Sequence, residues 1–317
     1  MKVLITRKLP AEGIANLLAH CEVEINHADR ALSTEELKEA LADKEGVLCV
    51  GDRMDSAVLD AAPYLKIISN YGVGYDNIDV DYATKKEIVV TNLPQEVTHS
   101  TAEMTWALIL ALARRIVEAD AHVRKRESFQ TGPEVFLGTH LYGKRLGIIG
   151  LGRIGMEVAR RALPFGMEVV YNGRNRREKE EAELPMSYLR LPELLATADV
   201  ISVHVPLTNE TYHLLDTQEF ELMKETAFVI NMSRGPVINE EALTVALTRG
   251  KIKGAGLDVF EKEPFVPLSL RKLNNVVLTP HLGTSTYETR VAMAKTAAQA
   301  IITVFDSGLP KNIINCF

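Results

Sequence analysis

Apolar positions in this chain follow two alternating rhythms. Short apolar runs at 3–6, 23–25, 46–50, 66–69 and 88–91 are separated by stretches whose apolar residues recur every three or four positions, among them 11–19 and 35–42. Such runs predict buried strands, and the intervening periodicity predicts amphipathic helices. The second helix opens on a capping box, Ser33 with Glu36, in which each side chain satisfies a backbone donor of the other. From Ser100 a long helical pattern (Ala102, Trp106, Ile109, Leu110, Ala113, Val117) leads to a loop containing Gly132, Pro133 and Gly138. The strand rhythm then restarts at 146–149, 168–171, 200–205, 228–231, 255–259 and 276–279. Six such strands make two mononucleotide-binding halves. A last helix, with Ser285 and Glu288 as its expected cap, runs towards Phe305. The alternation predicts an α/β fold with parallel sheets. The long helix and the last helix read as crossings between two domains, with a cleft as the expected active site.

The strand at 146–149 runs into Gly150, Gly152 and Gly155, a Gly-x-Gly-x-x-Gly turn that opens a helix at Ile154, with Arg153 and Ile154 among the expected cofactor contacts. The first glycine permits the tight turn, the second lets a pyrophosphate approach the backbone, and the third lets the helix pack on the strand. The helix N-terminus then faces the anion.

Composition narrows the reading. With 317 residues, 46% hydrophobic and 25% charged, the chain is an ordinary globular protein large enough for two domains. A net charge of −6 disfavours nonspecific nucleic-acid binding. Cys21, Cys49 and Cys316 form no Cys-x-x-Cys pair, so neither a disulfide framework nor a zinc site is expected and a reducing cytoplasm fits. No ligand spacing links the histidines, and no metal is expected; His20, His27, His99, His122, His140 and His213 read as structural or surface residues. The apolar run 105–113 is too short to span a bilayer, and residues 1–8 lack the longer apolar core of a signal peptide.

Where a cofactor domain preferring NAD carries an acid at the end of its second strand, this chain reads Tyr171-Asn172-Gly173-Arg174-Asn175-Arg176-Arg177. Guanidinium groups suit bidentate phosphate binding. The expected cofactor is therefore NADP(H), held mainly by Arg174 with Arg176 or Arg177 as second partner; NAD(H) stays open.

Three later strands each end in chemically useful residues: Asn231-Met232-Ser233-Arg234-Gly235-Pro236, then Asp258-Val259-Phe260-Glu261-Lys262-Glu263-Pro264, then Pro280-His281-Leu282-Gly283. With the glycine motif, these segments resemble the D-isomer-specific 2-hydroxyacid dehydrogenase family in order and over the whole chain. The stretch Ser69-Asn70-Tyr71-Gly72-Val73-Gly74-Tyr75-Asp76-Asn77, the segment Pro133 with Phe136-Leu137-Gly138, and the Gly173-Arg174 pair resemble its glyoxylate/hydroxypyruvate reductase branch. Members usually carry tryptophan before the position of Pro133, whereas this chain has Phe129 there and its single Trp at 106.

The resemblance implies a Rossmann cofactor domain (99–283) inserted in a discontinuous, flavodoxin-like substrate domain (1–98 plus 284–317), each a doubly wound parallel sheet. It implies Arg234, Glu263 and His281 as the catalytic trio: His281 donates a proton to the carbonyl oxygen, Glu263 orients and charges the imidazole, and Arg234 grips the substrate carboxylate. It further assigns the Val73 and Gly74 amides to that carboxylate, and cofactor contacts to Thr101, His204, Pro206, Met232, Asp258, His281 and Gly283. A homodimer through the helix after Ser100 and the following loop is implied as well. The reaction expected is NADPH-dependent reduction of small 2-oxo acids to D-2-hydroxy acids. Alternatives are reduction of bulkier 2-oxo acids such as 2-ketogluconate or phenylpyruvate-like acids, an NAD-linked phosphoglycerate dehydrogenase, and a nicotinamide-sensing, corepressor-like protein that needs no turnover.

Overall fold

The structure, a computed structural model, describes residues 1–28, 30–125, 128–129 and 131–315; Cys316 lies outside them. The chain divides into two compact units, Met1–Val97 with Thr284–Phe317, and Thr98–Gly283.

The first unit holds β1 (Lys2–Ile5), β2 (Glu22–Ile25), β3 (Gly46–Cys49), β4 (Ile67–Asn70) and β5 (Val89–Thr91), in the order β2-β1-β3-β4-β5. All neighbours are parallel, and the order is that of a flavodoxin-like sheet. Burial follows position in the sheet: β3 and β4 are buried along their whole length, whereas edge strand β2 alternates partly buried and exposed residues. The helix Tyr287–Phe305 returns to this sheet, where Ser69 Oγ donates to the Ala297 carbonyl at 2.9 Å and Tyr71 Oη to that of Arg290 at 2.6 Å. The Ser33–Glu36 capping box is present. The expected cap of the last helix shifts by one residue: Thr286 accepts from the Thr289 amide, while Ser285 accepts from the Arg290 guanidinium. Adjacent hydroxyls offer the same capping chemistry, and the backbone chose the second.

The second unit contains seven strands: β6 (Arg145–Ile149), β7 (Glu168–Asn172), β8 (Met186–Tyr188), β9 (Val200–Val203), β10 (Phe228–Asn231), β11 (Gly254–Leu257) and β12 (Val276–Leu278). Their order is β12-β11-β10-β9-β6-β7-β8, with every pairing parallel. The order reverses between β6 and β9, which makes that point the switch where open α/β sheets bind ligands, outside the carboxyl ends of the strands. The six strands expected become seven because β8 is a three-residue edge strand with only Met186 buried, too short to register as an apolar run.

The long helix expected after Ser100 is two helices, Thr98–Ala113 and Ile116–Arg124, separated by Arg115 at φ 53°. Apolar periodicity continues across a left-handed residue and so does not reveal it. Thr98–Ala113 is a core helix of this unit: Trp106 stacks on Phe165 with ring centroids 4.6 Å apart and donates from Nε1 to the Val158 carbonyl. Ile116–Arg124 buries nothing and exposes Ile116, Val117 and Val123. No helix among the described residues is long and apolar enough to cross a membrane.

Candidate active site

The glycine turn follows β6. Gly150 sits at φ 97°, and a Cβ there would meet the His204 carbonyl carbon at 2.8 Å, so both conformation and the neighbouring chain exclude a side chain. A Cβ on Gly155 would lie 2.4 Å from the Gly150 carbonyl oxygen. Gly152 differs, because a Cβ there would meet nothing within 4 Å. Two glycines are therefore demanded by packing, and the third leaves open space at the start of the helix Arg153–Ala162. That opening, beside main-chain donors at a helix N-terminus, fits a dinucleotide pyrophosphate. His204 lines the turn with Nε2 2.8 Å from Ser202 Oγ, and burial lowers its pKa to about 3, so its ring is neutral. Pro206 follows it at the surface.

After β7 the three arginines differ. Arg176 forms two-pronged hydrogen bonds to Glu181, the shortest 2.8 Å. Glu181 is further held by Tyr171, whose phenol donates at 2.7 Å and itself accepts from the Arg177 amide at 2.6 Å. Burial, and then the Glu181 hydrogen bond, push the Tyr171 pKa up to about 12. The Arg177 guanidinium lies 3.9 Å from Glu180. Arg174 is exposed and makes no hydrogen bond or ion pair among the described residues. Its charge does reach Glu210 in the loop after β9: Glu210 is held below the usual carboxylate range chiefly by its Thr208 hydrogen bond, with Arg174 adding to the effect. Gly173 has open space, since a Cβ would meet only the Asn175 oxygen at 4.0 Å.

Three neighbouring strands present the trio. At the end of β10, Asn231 folds the next turn: Oδ1 accepts from the Ser233 amide and hydroxyl, and Nδ2 donates to the Arg234 carbonyl at 3.0 Å. At the end of β11, Glu263 turns back so that Oε1 accepts from the Phe260 amide at 3.0 Å and Oε2 meets His281 Nδ1 at 2.9 Å. Burial would raise the Glu263 pKa, but the His281 hydrogen bond and charge, the Phe260 amide and the Arg234 charge outweigh it and hold it below the usual range. An ionised carboxylate only accepts, so Nδ1 carries a proton and Nε2 is the atom left for chemistry. Arg234 Nη1 donates to the Ser233 carbonyl.

His281, following β12, has φ 55°, a strained conformation for a residue with a Cβ. Asp258 over-determines it. Its Oδ1 accepts from the Thr279 hydroxyl and the Leu282 amide, both at 2.6 Å, and its Oδ2 accepts from the Gly283 amide at 2.8 Å. The Asp258 carbonyl accepts from the His281 amide at 2.9 Å. At 1% exposure and with three donors on its carboxylate, Asp258 holds the His281 loop. A Cβ on Gly283 would lie 3.3 Å from Asp258 Oδ2 and Met232 Cε and 3.4 Å from Thr101 Cγ2, so these four expected contacts do converge. All of them are buried, beneath the more exposed His281.

In the first unit, Asn70 Nδ2 donates to the Gly72 and Gly74 carbonyls at 3.2 and 2.8 Å, and Asn92 Nδ2 to the Val73 carbonyl at 2.8 Å. The amides of Val73 and Gly74 have no partner among the described residues. A turn whose carbonyls are tied down and whose amides are free can receive an anion. Sequence reading missed Asn70, Asn92 and Asn231 as the groups that shape these turns; a strand-terminal asparagine before a glycine-containing turn was the available signal for Asn70 and Asn231, whereas Asn92, followed by Leu93 and Pro94, carries no such signal. No group of His, Cys, Asp or Glu among the described residues could hold a metal ion.

Residues 106–283 match the family model for the NAD-binding domain of D-isomer specific 2-hydroxyacid dehydrogenases. The chain is 46% identical to a glyoxylate reductase of Thermococcus onnurineus, covering 99% of this chain and 96% of that one. A crystal structure from Thermus thermophilus superposes with a TM-score of 0.94 at 41% identity, over 99% of this chain and 100% of the other. An NADPH-dependent glyoxylate/hydroxypyruvate reductase of Sinorhizobium meliloti, solved with NADP and malonate, gives 0.87 at 31% identity, over 99% and 96%.

Proposed function

This chain belongs to the D-isomer-specific 2-hydroxyacid dehydrogenase family of NAD(P)-dependent oxidoreductases, and we propose that it reduces glyoxylate, hydroxypyruvate and similarly small 2-oxo acids with NADPH. The observation that carries this is the Glu263–His281 pair, with the Arg234 charge acting on it, at the carboxyl ends of three adjacent strands. Similarity to glyoxylate reductases supports the substrate class.

When bound, the nicotinamide supplies the hydride. Reduction turns a carbonyl oxygen into an alkoxide, and His281 holds the proton that oxygen needs at Nε2. Glu263 fixes the ring from its Nδ1 side. Arg234 binds the substrate carboxylate in a charge-assisted contact and draws electron density from the carbonyl; the amides of Val73 and Gly74 are assigned to substrate binding. Gly150, Gly152, Arg153, Ile154 and Gly155 hold the pyrophosphate. Gly173 and Arg174 would hold the 2′-phosphate, with Arg176 or Arg177 as second partner, and Thr101, His204, Pro206, Met232 and Gly283 would contact the cofactor. Asp258 contributes by fixing the His281 loop. The exposed apolar residues of Ile116–Arg124, with Leu137, are assigned to a second copy of the chain; a sedimenting mass equal to one chain would remove that assignment.

The test is an absorbance assay of cofactor oxidation against a panel of 2-oxo acids, run with NADPH and NADH. Faster turnover of glyoxylate and hydroxypyruvate with NADPH is expected. Preference for 2-ketogluconate or phenylpyruvate would move the substrate class, preference for NADH would overturn the cofactor assignment, and cofactor binding without oxidation by any acid would favour a sensor.

A further inference from the structure

Arg234 and Glu263 sit on different loops, and a reaction that uses both needs those loops at a fixed spacing. The structure shows how the spacing is set. A Cβ on Gly235 would fall 1.9 Å from the carbonyl carbon and oxygen of Phe260 and 2.3 Å from the Glu261 nitrogen, so the two main chains touch where only glycine fits. Five residues on, the loops exchange hydrogen bonds: the Glu261 amide donates to Glu240 Oε1 at 2.8 Å, and the Glu240 amide donates to Glu261 Oε1 at 3.0 Å. Glu261 thereby also faces the N-terminus of the helix Glu240–Thr248, where a carboxylate is favoured.

A third segment joins at the same oxygen. His213 Nε2 lies 2.9 Å from Glu261 Oε1. His213 is itself pinned: its amide donates to the Pro236 carbonyl at 2.8 Å, it sits at φ 50°, and Tyr212 stacks on its ring. One carboxylate therefore ties together the segments around 213, 234–240 and 260–263.

We propose that Glu261, with Glu240 as its reciprocal partner, is a positioning residue of the reaction that holds the Arg234 loop and the Glu263–His281 pair as one body. This rests on the roles given above to Arg234, Glu263 and His281. Glu240 is 8% exposed, and burial first, then the charges of Glu261 and Glu263, push its carboxyl up against the Glu261 amide and Lys262. The charged groups facing the cluster are Lys262 at Glu240, His213 with Asp216 beside it at Glu261, and Arg234 and His281 at Glu263.

The experiment measures glyoxylate reduction by NADPH, NADPH affinity by fluorescence, and hydrogen exchange in wild type, Glu261→Ala, Glu261→Gln and Glu240→Ala, with exposed Glu241→Gln as control. Glu261→Ala should lower kcat roughly tenfold to a hundredfold, as small misplacements of reacting groups do, leave NADPH affinity within about twofold, and raise exchange in 233–241 and 258–264 together. Glu261→Gln should recover most of the loss, since its amide oxygen still accepts from residue 240. Glu240→Ala, which removes the acceptor of the Glu261 amide, should raise exchange in the same two segments together. Unchanged kcat and exchange in Glu261→Ala overturn the proposal. Should that variant fail to fold, Glu240→Ala decides: lowered kcat with raised exchange in both segments supports the device, and unchanged exchange overturns it. If wild type reduces no 2-oxo acid, the functional reading fails by itself, and the exchange measurement still decides whether Glu261 couples the two segments.

Discussion

Two ends of one sheet solve opposite problems. After β6 and β7, the site is built from what is missing: Gly150 and Gly155 clear space for neighbouring backbone, and Gly152 opens onto nothing. The charges there are exposed. After β10, β11 and β12, the site is built from side chains locked to one another, with Glu263 bonded on both oxygens and Asp258 accepting three donors. A backbone cradle tolerates changes at its rim, because amides do the holding. An interlocked charge cluster does not, because each group sets the protonation and orientation of the next. Substitutions should therefore be severe at the second end and graded at the first.

The largest effect is expected at His281. Replacement by Gln keeps a polar side chain but removes the transferable proton, and kcat should fall about 100- to 10,000-fold while NADPH affinity stays within about twofold. Steady-state rates with a fluorescence titration check this, and a loss of cofactor affinity equal to the loss of rate would erase the contrast between the two ends. Glu263→Gln comes next, with kcat lower by roughly tenfold to a hundredfold. Its pH signature has a definite sign. The fold holds the Glu263 pKa below the usual carboxylate range, so the ionised pair is complete above the unfolded-state value and is lost as pH falls through the lowered folded value. Wild type should keep its rate through the mildly acidic range and lose it below that of an ordinary glutamate. In Glu263→Gln that acid limb should vanish; a limb that survives belongs to another group.

Legibility from sequence divides along similar lines. The strands that alternate with helices were visible because burial on both faces of a parallel sheet leaves continuous apolar runs, as in β3, β4 and β10. The three-residue edge strand β8 left no such run. The turn at Arg115 was invisible because left-handed backbone at an arginine has no sequence signature. At the site, short motifs named residues close to strand ends, and the structure brings Arg234, Glu263 and His281 to one edge. What the motifs could not express is partnership: that Asp258 binds the His281 loop, that Glu261 and Glu240 exchange bonds, and that Asn70 and Asn92 free two amides. The pairings of Asp258, Glu261 and Asn92 span 19 to 25 residues, and only the folded chain decides them.

The basic loop after β7 gives the finest test of the contrast, since its three arginines look equivalent in sequence. Arg174 has no partner among the described residues and is available to a phosphate. Arg174→Ala should raise KM for NADPH roughly tenfold or more, the worth of a hydrogen bond between charged groups, and leave NADH nearly unchanged. Arg176 is already engaged by Glu181, which is itself held by the buried Tyr171. To serve a phosphate it must give up that carboxylate, so most of its attraction is cancelled before the cofactor arrives. Arg176→Ala should therefore change the NADPH to NADH preference by less than about threefold, within the range of surface ion pairs. Equal losses in the two variants would mean that Glu181 releases Arg176 when the cofactor binds, and the rim would then be a rearranging clamp, as side-chain-dependent as the catalytic end.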